Sequence, residues 1–298
     1  MKLKEKLDTI TYQFYKHLPP VLYPVFLKII YKNRTGRTLN LENPKRISEK
    51  IQWLKLHDNL PIKAVLADKL RVREWVRKRV DNLNFPHIYG IWNSFEEVDF
   101  DILPETFYLK TNHGAAMNIQ VIRKKHFIGR AREKASKLFD KWLKTNFAFL
   151  WGFELQYKDI KPQVYAEERL YVGEHQRLAD YKIWCMNGKA KFIEFFVYPQ
   201  KYEPENIRMV IYDTEWNKLP FTHDIAQHEG ELPPPSRLSE MISTAEKLAQ
   251  DFKLVRVDIN EVRGKLYFGE LTFTPCSGHM TFIPDEYDLL IGDMLDLK

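Results

Sequence analysis

Apolar positions in this chain follow a helical spacing through its first third and an alternating spacing through most of the rest. Residues 1–40 read as helical, rich in aromatics and lysines and split by Pro19, Pro20 and Pro24. Within them Val21 to Tyr31 is strongly apolar for a terminal segment, with Lys28 inside it. Two readings stay open: a helix packed on the main body, or an amphipathic element lying on a membrane with its lysines toward anionic lipid. Ile47, Ile51 and Leu54 recur at helical spacing after Pro44, and a second helix is predicted from Ile62 to Arg79, beginning after Pro61.

From residue 84 the period shortens. Asn84 to Trp92 reads as an extended segment, and Phe107 to Lys110 as a strand. A turn of small and polar residues, Thr111 to Ala116, leads to a returning strand from Asn118 to Arg123. A basic helix covers about 127–145, and Val164 to Leu170 is a strand. Three more strands are expected at 180–186, 189–198 and about 207–213, with Asn187-Gly188 as a hairpin turn between the first two. Pro233-Pro234-Pro235 marks an exposed boundary. Ser236 to Phe252 is then a helix with a stripe of Leu238, Ile242, Ala245 and Leu248. The last pair of strands, Leu254–Asn260 and Lys265–Phe273, turns at Arg263-Gly264. Helices first and strands later predict an α+β class.

With 298 residues, the chain exceeds the usual single domain, so two or three lobes are expected. Hydrophobic residues make up 44% and aromatics 14%, enough for a substantial core. The two cysteines, Cys185 and Cys276, have neither disulfide nor zinc spacing. No apolar run approaches the roughly 18–20 residues of a membrane span, and the N-terminus lacks the pattern of a signal peptide; a cytoplasmic protein is expected. The formal charge of +6 favours anionic partners. The charge is dispersed among acids, with no zinc-finger spacing or basic tail, so nucleic acid is not expected as a partner.

The sharpest chemical signal is the final hairpin. Alternation puts Arg256 and Asp258 on one strand face, and Glu270 and Thr272 on one face of its partner. Two carboxylates beside a hydroxyl make a hard oxygen set suited to magnesium and phosphate; two charged residues on a solvated face is the plain alternative. Lys110 ends a strand before the small-residue turn, where an ammonium and backbone N–H groups can grip phosphate. Glu167-Glu168 and the pair Asp180 and Lys182 fall on strands between these two features.

The ordered series resembles the TupA-like branch of the ATP-grasp superfamily, associated with bacterial cell-surface polysaccharide and teichuronopeptide biosynthesis. The segments that carry it are Ser48 to Leu54, Ala67-Asp68-Lys69 with Val72-Arg73-Glu74, and Leu109 to Gly114. Ala166-Glu167-Glu168, Asp180-Tyr181-Lys182 and Phe268 to Phe273 complete it. The resemblance implies an ATP-grasp fold, two α+β lobes clasping a nucleotide. The expected organisation is a helical extension at 1–42, an N-terminal lobe at 43–104, a small lobe with the phosphate loop at 105–165 and a C-terminal lobe with the metal site at 166–298. It implies that ATP is bound by Lys69, Lys110, His113, Gly114, Glu167, Glu168, Asp180 and Lys182. Magnesium is implied at Asp258, Glu270 and Thr272. Lys182 and Arg256 are the implied catalytic groups, Arg256 being otherwise an ion-pair partner of Asp258.

The activity implied is ATP-dependent ligation of a carboxylate to an amine through an acyl phosphate, the carboxylate belonging to a uronic acid or glycan precursor. Peripheral contact with the inner face of the cytoplasmic membrane is a further expectation, resting on the N-terminal segment. Two alternatives remain: a kinase or glycosyltransferase-like transferase of the same pathway, and a nucleotide- or glycan-binding protein without catalysis. The second is favoured by Gly114-Ala115-Ala116-Met117, where the branch usually reads Gly-Ser-Gly-Gly. His113, where it does not contact a phosphate, is structural or solvated as turn histidines usually are; Cys276 and His279, in a loop that could line the acceptor site, have no acid beside them in sequence and are expected to be incidental.

Overall fold

The computed structural model describes residues 11–171, 178–198 and 204–298. Residues 11–16 are helical, and α1 (Tyr23–Thr35) follows the proline-rich break. The helix predicted after Pro44 is α2 (Ile47–His57). The single helix expected from Ile62 to Arg79 is instead two short ones, α3 (Ile62–Ala67) and α4 (Val72–Arg77). Asp68 makes the break: its ψ of 113° is extended, and its Oδ1 accepts the backbone N–H groups of Leu70 (2.9 Å) and Arg71 (3.4 Å). A short acidic side chain that offers the backbone this alternative ends one helix and caps the next. Lys69 is thereby lifted out of a helix and into a bend.

Strands β1 (Ile88–Trp92), β2 (Phe107–Thr111), β3 (Asn118–Val121) and β4 (Val164–Glu168) form one antiparallel sheet in the order β1-β4-β2-β3. Helix α5 (Arg130–Leu143) covers one face, where Phe107, Leu109, Val121, Phe139, Val164 and Ala166 are buried together. Alternation turns Tyr108, Lys110, Tyr165 and Glu167 to the other face.

The second sheet has five antiparallel strands: β5 (Asp180–Met186), β6 (Lys189–Val197), β7 (Arg208–Tyr212), β9 (Leu254–Val262) and β10 (Lys265–Thr272), ordered β10-β9-β5-β6-β7. The short strands β8 (Thr222–His223) and β11 (Phe282–Ile283) pair separately. Asn187 and Gly188 both have positive φ, 48° and 77°, as the predicted hairpin turn demands. Helix α6 (Leu238–Ala249) covers one face, where Ile183, Cys185, Val255, Val257, Ile259 and Leu266 are buried against α4 and α6. Its buried stripe is centred on Met241, Ala245, Leu248 and Ala249, with Ile242 only half-buried at the edge. Of the three consecutive prolines before it, Pro233 and Pro234 are exposed and Pro235 is buried.

The opposite face of this sheet divides in two. Trp184, Met186, Phe192 and Leu254 pack against α2 and α7 (Glu286–Asp293). Further along the same strand faces the apolar residues give way to Lys182, Arg256 and Asp258, which pair across β5 and β9 as Lys182 with Asp258 and Trp184 with Arg256. This charged half looks across a cleft to the polar face of the first sheet.

Candidate active site between the two sheets

The β9–β10 hairpin builds the centre. Thr272 lies opposite Arg256 and Leu271 opposite Val257, but Phe268 lies opposite Ile259, so Gly269 and Glu270 together face Asp258. Two residues against one is a β-bulge. It keeps Leu266, Phe268 and Leu271 in the core while Glu270 and Thr272 join Arg256 and Asp258 on the cleft face. Gly269 is needed there: a Cβ at this position would sit 2.9 Å from the Asp258 carbonyl oxygen and 3.1 Å from its Cβ.

The charges are tightly interlocked. Arg256 donates Nε to Asp258 Oδ1 at 2.7 Å and Nη2 to Asp258 Oδ2 at 2.8 Å. The same Nη2 reaches Glu270 Oε1 at 3.1 Å and Thr272 Oγ1 at 3.2 Å. Lys182 donates to Asp258 Oδ2 (2.8 Å) and Asp180 Oδ2 (2.5 Å). Lys69, freed from helix by Asp68, donates to Glu270 Oε2 at 3.1 Å. Burial would raise the Glu270 pKa, but Lys69, Arg256 and Lys182 hold it far below the usual carboxylate range. Burial disfavours the Lys182 ammonium too, and Asp258 outweighs that, so Lys182 stays cationic. The result is a carboxylate–cation lattice in which Glu270 is held as the anion, while burial pushes the Asp258 carboxyl up against the pull of Arg256 and Lys182.

On the facing sheet, Glu167 is buried and takes the short hydrogen bonds of both Lys110 and Arg73. Glu168 accepts the backbone N–H of His87 at 3.0 Å. Lys69, Lys110, Glu167, Glu168, Asp180, Lys182, Asp258 and Glu270 all border one cleft of about 700 Å³, together with Arg169 and Leu170 just beyond β4. Seven charged residues expected at the site, from five separate segments, thus meet Lys69 in one place.

His113 and Gly114 do not border that cleft. His113 is buried with Nε2 on the Trp142 carbonyl (3.0 Å), and burial lowers its pKa. Gly114 packs on Phe147, whose ring would lie 2.7 Å from an added Cβ. Asn112, inside the same turn, is bound by Lys161 and Gln163, and its carbonyl accepts the Lys69 N–H at 3.1 Å.

The donor chemistry suits a hard divalent cation. Glu270 is an anion whose side chain is one-third exposed to the cleft, and Asp258 and Thr272 are oxygen donors beside it. Each carboxylate oxygen has two lone pairs, so the existing hydrogen bonds leave acceptor capacity for a cation. Beside this set lies a loop in which Cys276, Ser277 and Gly278 all have positive φ. Gln52 and Lys55 of α2 hold it by donating to the Ser277 carbonyl, each at 2.8 Å. An acid joins Cys276 from just after β8: atoms of His223, Asp224 and Cys276 lie within 4.8 Å of one another. His223 Nε2 in turn meets the buried Glu194 at 2.7 Å. Sequence reasoning missed Arg73, Glu194 and His223 at the site; Arg73 stood inside a quoted segment, whereas nothing local marks the other two.

Comparison with known proteins supplies the lineage. A family model described as TupA-like ATP-grasp matches residues 49–296. No curated protein matches the chain. Among solved structures, the ATP-grasp ligase PsnB complexed with minimal precursor is 14% identical, with a TM-score of 0.41, over 76% of this chain and 59% of that one. D-alanine–D-alanine ligase from Bacillus anthracis complexed with ATP is 14% identical with a TM-score of 0.39, over 70% and 54%. The enzyme of the same name from Helicobacter pylori is 12% identical with a TM-score of 0.43, over 85% and 70%. The chain therefore spans less than two thirds of the length of the first two of these structures. With five-sixths of its length matched by one family and its charged residues gathered between two antiparallel sheets, the chain belongs to the TupA-like ATP-grasp family.

Proposed function

We propose that this protein is an ATP-dependent carboxylate–amine ligase that binds magnesium–ATP between its two sheets. The observation that carries the reading is the meeting of Lys69, Lys110 and Lys182 with Asp258 and Glu270 around one cleft, with Thr272 hydrogen-bonded to Glu270 beside them. Three ammonium groups balance phosphate charge, and the two carboxylates and the hydroxyl supply magnesium ligands. Bound magnesium would screen the phosphates for attack by a carboxylate oxygen. ADP would leave, and an amine would displace phosphate from the acyl phosphate to form an amide. The chain's own contribution is positioning and charge complementarity: Arg256 orients Asp258 and Glu270, while Glu167 fixes Lys110 toward the cleft.

The carboxylate we favour is that of a uronic acid or glycan precursor in cell-surface polysaccharide biosynthesis, with a small amino compound as acceptor. The support is the family match and the position of the 275–278 loop beside the charged centre. Calorimetry with magnesium–ATP tests the first half: micromolar binding is expected, weakened at least tenfold by Glu270→Gln. Equal binding by that variant overturns the metal assignment. ADP release that requires both a uronate and an amine supports the ligase reading. Release with hydroxyl acceptors and no amine replaces it with a transferase. Binding without turnover favours the non-catalytic reading, which the alanines at 115 and 116 support.

A further inference from the structure

The charge along the N-terminal helices is one-sided. Between residues 9 and 41 there is no Asp or Glu, against five cations: Lys16, Lys28, Lys32, Arg34 and Arg37. Arg37 is neutralised by Asp285, but the remaining four lie on or beside α1. Helical spacing puts Val21, Val25 and Ile29 on one outward stripe, and they are 80%, 51% and 45% exposed. Lys28 and Lys32, both exposed, border it. The opposite face of the helix is firmly seated, with Leu27 and Tyr31 fully buried. The stripe is thus an outer surface of a rigid element. Phe14 extends it, half-exposed and packed edge-on against Phe26 at 5.1 Å. Trp151, 45% exposed, lies instead under the Arg34 guanidinium at 5.0 Å, half a turn round the helix from Val25.

We propose that this face docks on an anionic lipid bilayer. Aliphatic side chains in a row, bordered by cations without acids, match the acyl boundary and headgroup layer of such a surface. A protein partner would need acidic complementarity in register, whereas a bilayer needs only the sign of the charge. The docking helix is tied to the rest of the molecule on its other face: Arg34 lies over Trp151, whose carbonyl accepts Ser277 Oγ at 3.1 Å and bonds His279 Nε2 at 3.0 Å in the loop beside the charged cleft. The docking itself is independent of the ligase reading.

Co-sedimentation of the full chain with vesicles of phosphatidylglycerol and phosphatidylcholine, against phosphatidylcholine alone, tests the proposal. Binding is expected only to the anionic vesicles, falling with salt. Val25→Glu with Ile29→Glu, and separately Lys28→Glu with Lys32→Glu, should each lower partitioning tenfold or more, with circular dichroism and nucleotide binding unchanged. No binding by the wild type, or equal binding by both folded variants, overturns it. So does a solution dimer that the Val25/Ile29 variant converts to monomer, because the stripe would then be covered by a second copy.

Discussion

The buried His223–Glu194 pair makes stability depend on pH in a way that one substitution isolates. Both side chains are almost fully buried, His223 Nε2 meets Glu194 Oε1 at 2.7 Å, and Nδ1 faces Asp224 at 3.2 Å. Burial by itself would lower the imidazole pKa from its ordinary 6.5; the Glu194 carboxylate, with help from Asp224, overrides this and pushes it up to about 9. A histidine whose pKa is raised on folding stabilises the fold fully below about 6.5, and that contribution is lost as pH climbs through about 9. Glu194, held below its ordinary value against its own burial, acts at the other end: its share is present above about pH 4.5 and fades as acid is added. The span from 6.5 to about 9 corresponds to roughly 3 kcal/mol at pH 6, about 2 at pH 7.5 and close to none at pH 9.5. Urea unfolding of the wild type and of His223→Gln at these three pH values measures the difference directly. The gap between the two proteins should shrink by roughly 3 kcal/mol across the series. Lys55, whose pKa burial lowers to about 8, shifts stability the opposite way, but it is common to both proteins and subtracts out. Parallel stability curves would refute the charged-pair account.

Three further outcomes follow from the same geometry. Gly269→Val places a side chain against Asp258 and should cost about 1–3 kcal/mol in urea unfolding while weakening nucleotide binding; retention of both would remove the bulge from the argument. Glu167→Gln leaves Arg73 and Lys110 facing each other without their shared anion, so a loss of about 2–4 kcal/mol in thermal or chemical unfolding is expected, and none would make that pairing unimportant. Ala116, at φ 57°, should accept glycine with a gain of about 1 kcal/mol by calorimetric melting, whereas a loss would mean that the turn is not strained there.

Local pattern carried the fold a long way, and for identifiable reasons. Residues 255–259 alternate strictly because one face is core and the other cleft, so the shared face of Arg256 and Asp258 was legible from the sequence. The turn at Asn187-Gly188 was legible because few residue pairs accept two positive φ values in succession. The break between α3 and α4 was not, since the helical spacing persists through it and one aspartate side chain decides the matter. The bulge had a trace in the three-residue step from Phe268 to Leu271, where strict alternation would require two. Pairings such as Arg73 with Glu167, or Glu194 with His223, join residues far apart in sequence, and no periodicity reports them. The resemblance supplied the rest of the candidate site, and the cleft gathers its charged members except Arg256, which is buried behind Asp258 and Glu270, while leaving His113 and Gly114 in the packing beneath the turn.

The extra residue in β10 acts as a reading frame for the hairpin. Upstream of Gly269 the strand counts in one phase and downstream in the other, so the core residues and the cleft residues are each in phase only because of that single offset. Deleting Gly269 alone would restore one-to-one pairing, with Glu270 opposite Asp258 and with Phe268 and Leu271 still in the core, whereas losing one residue on either side of the bulge would turn that part of the strand to the wrong face. A residue gained or lost at the Arg263-Gly264 bend, by contrast, falls outside the frame and only reshapes the turn. Length variation among relatives should therefore gather at the bend or at the bulge residue itself and avoid the residues on either side of it, whatever substrate each one has come to accept.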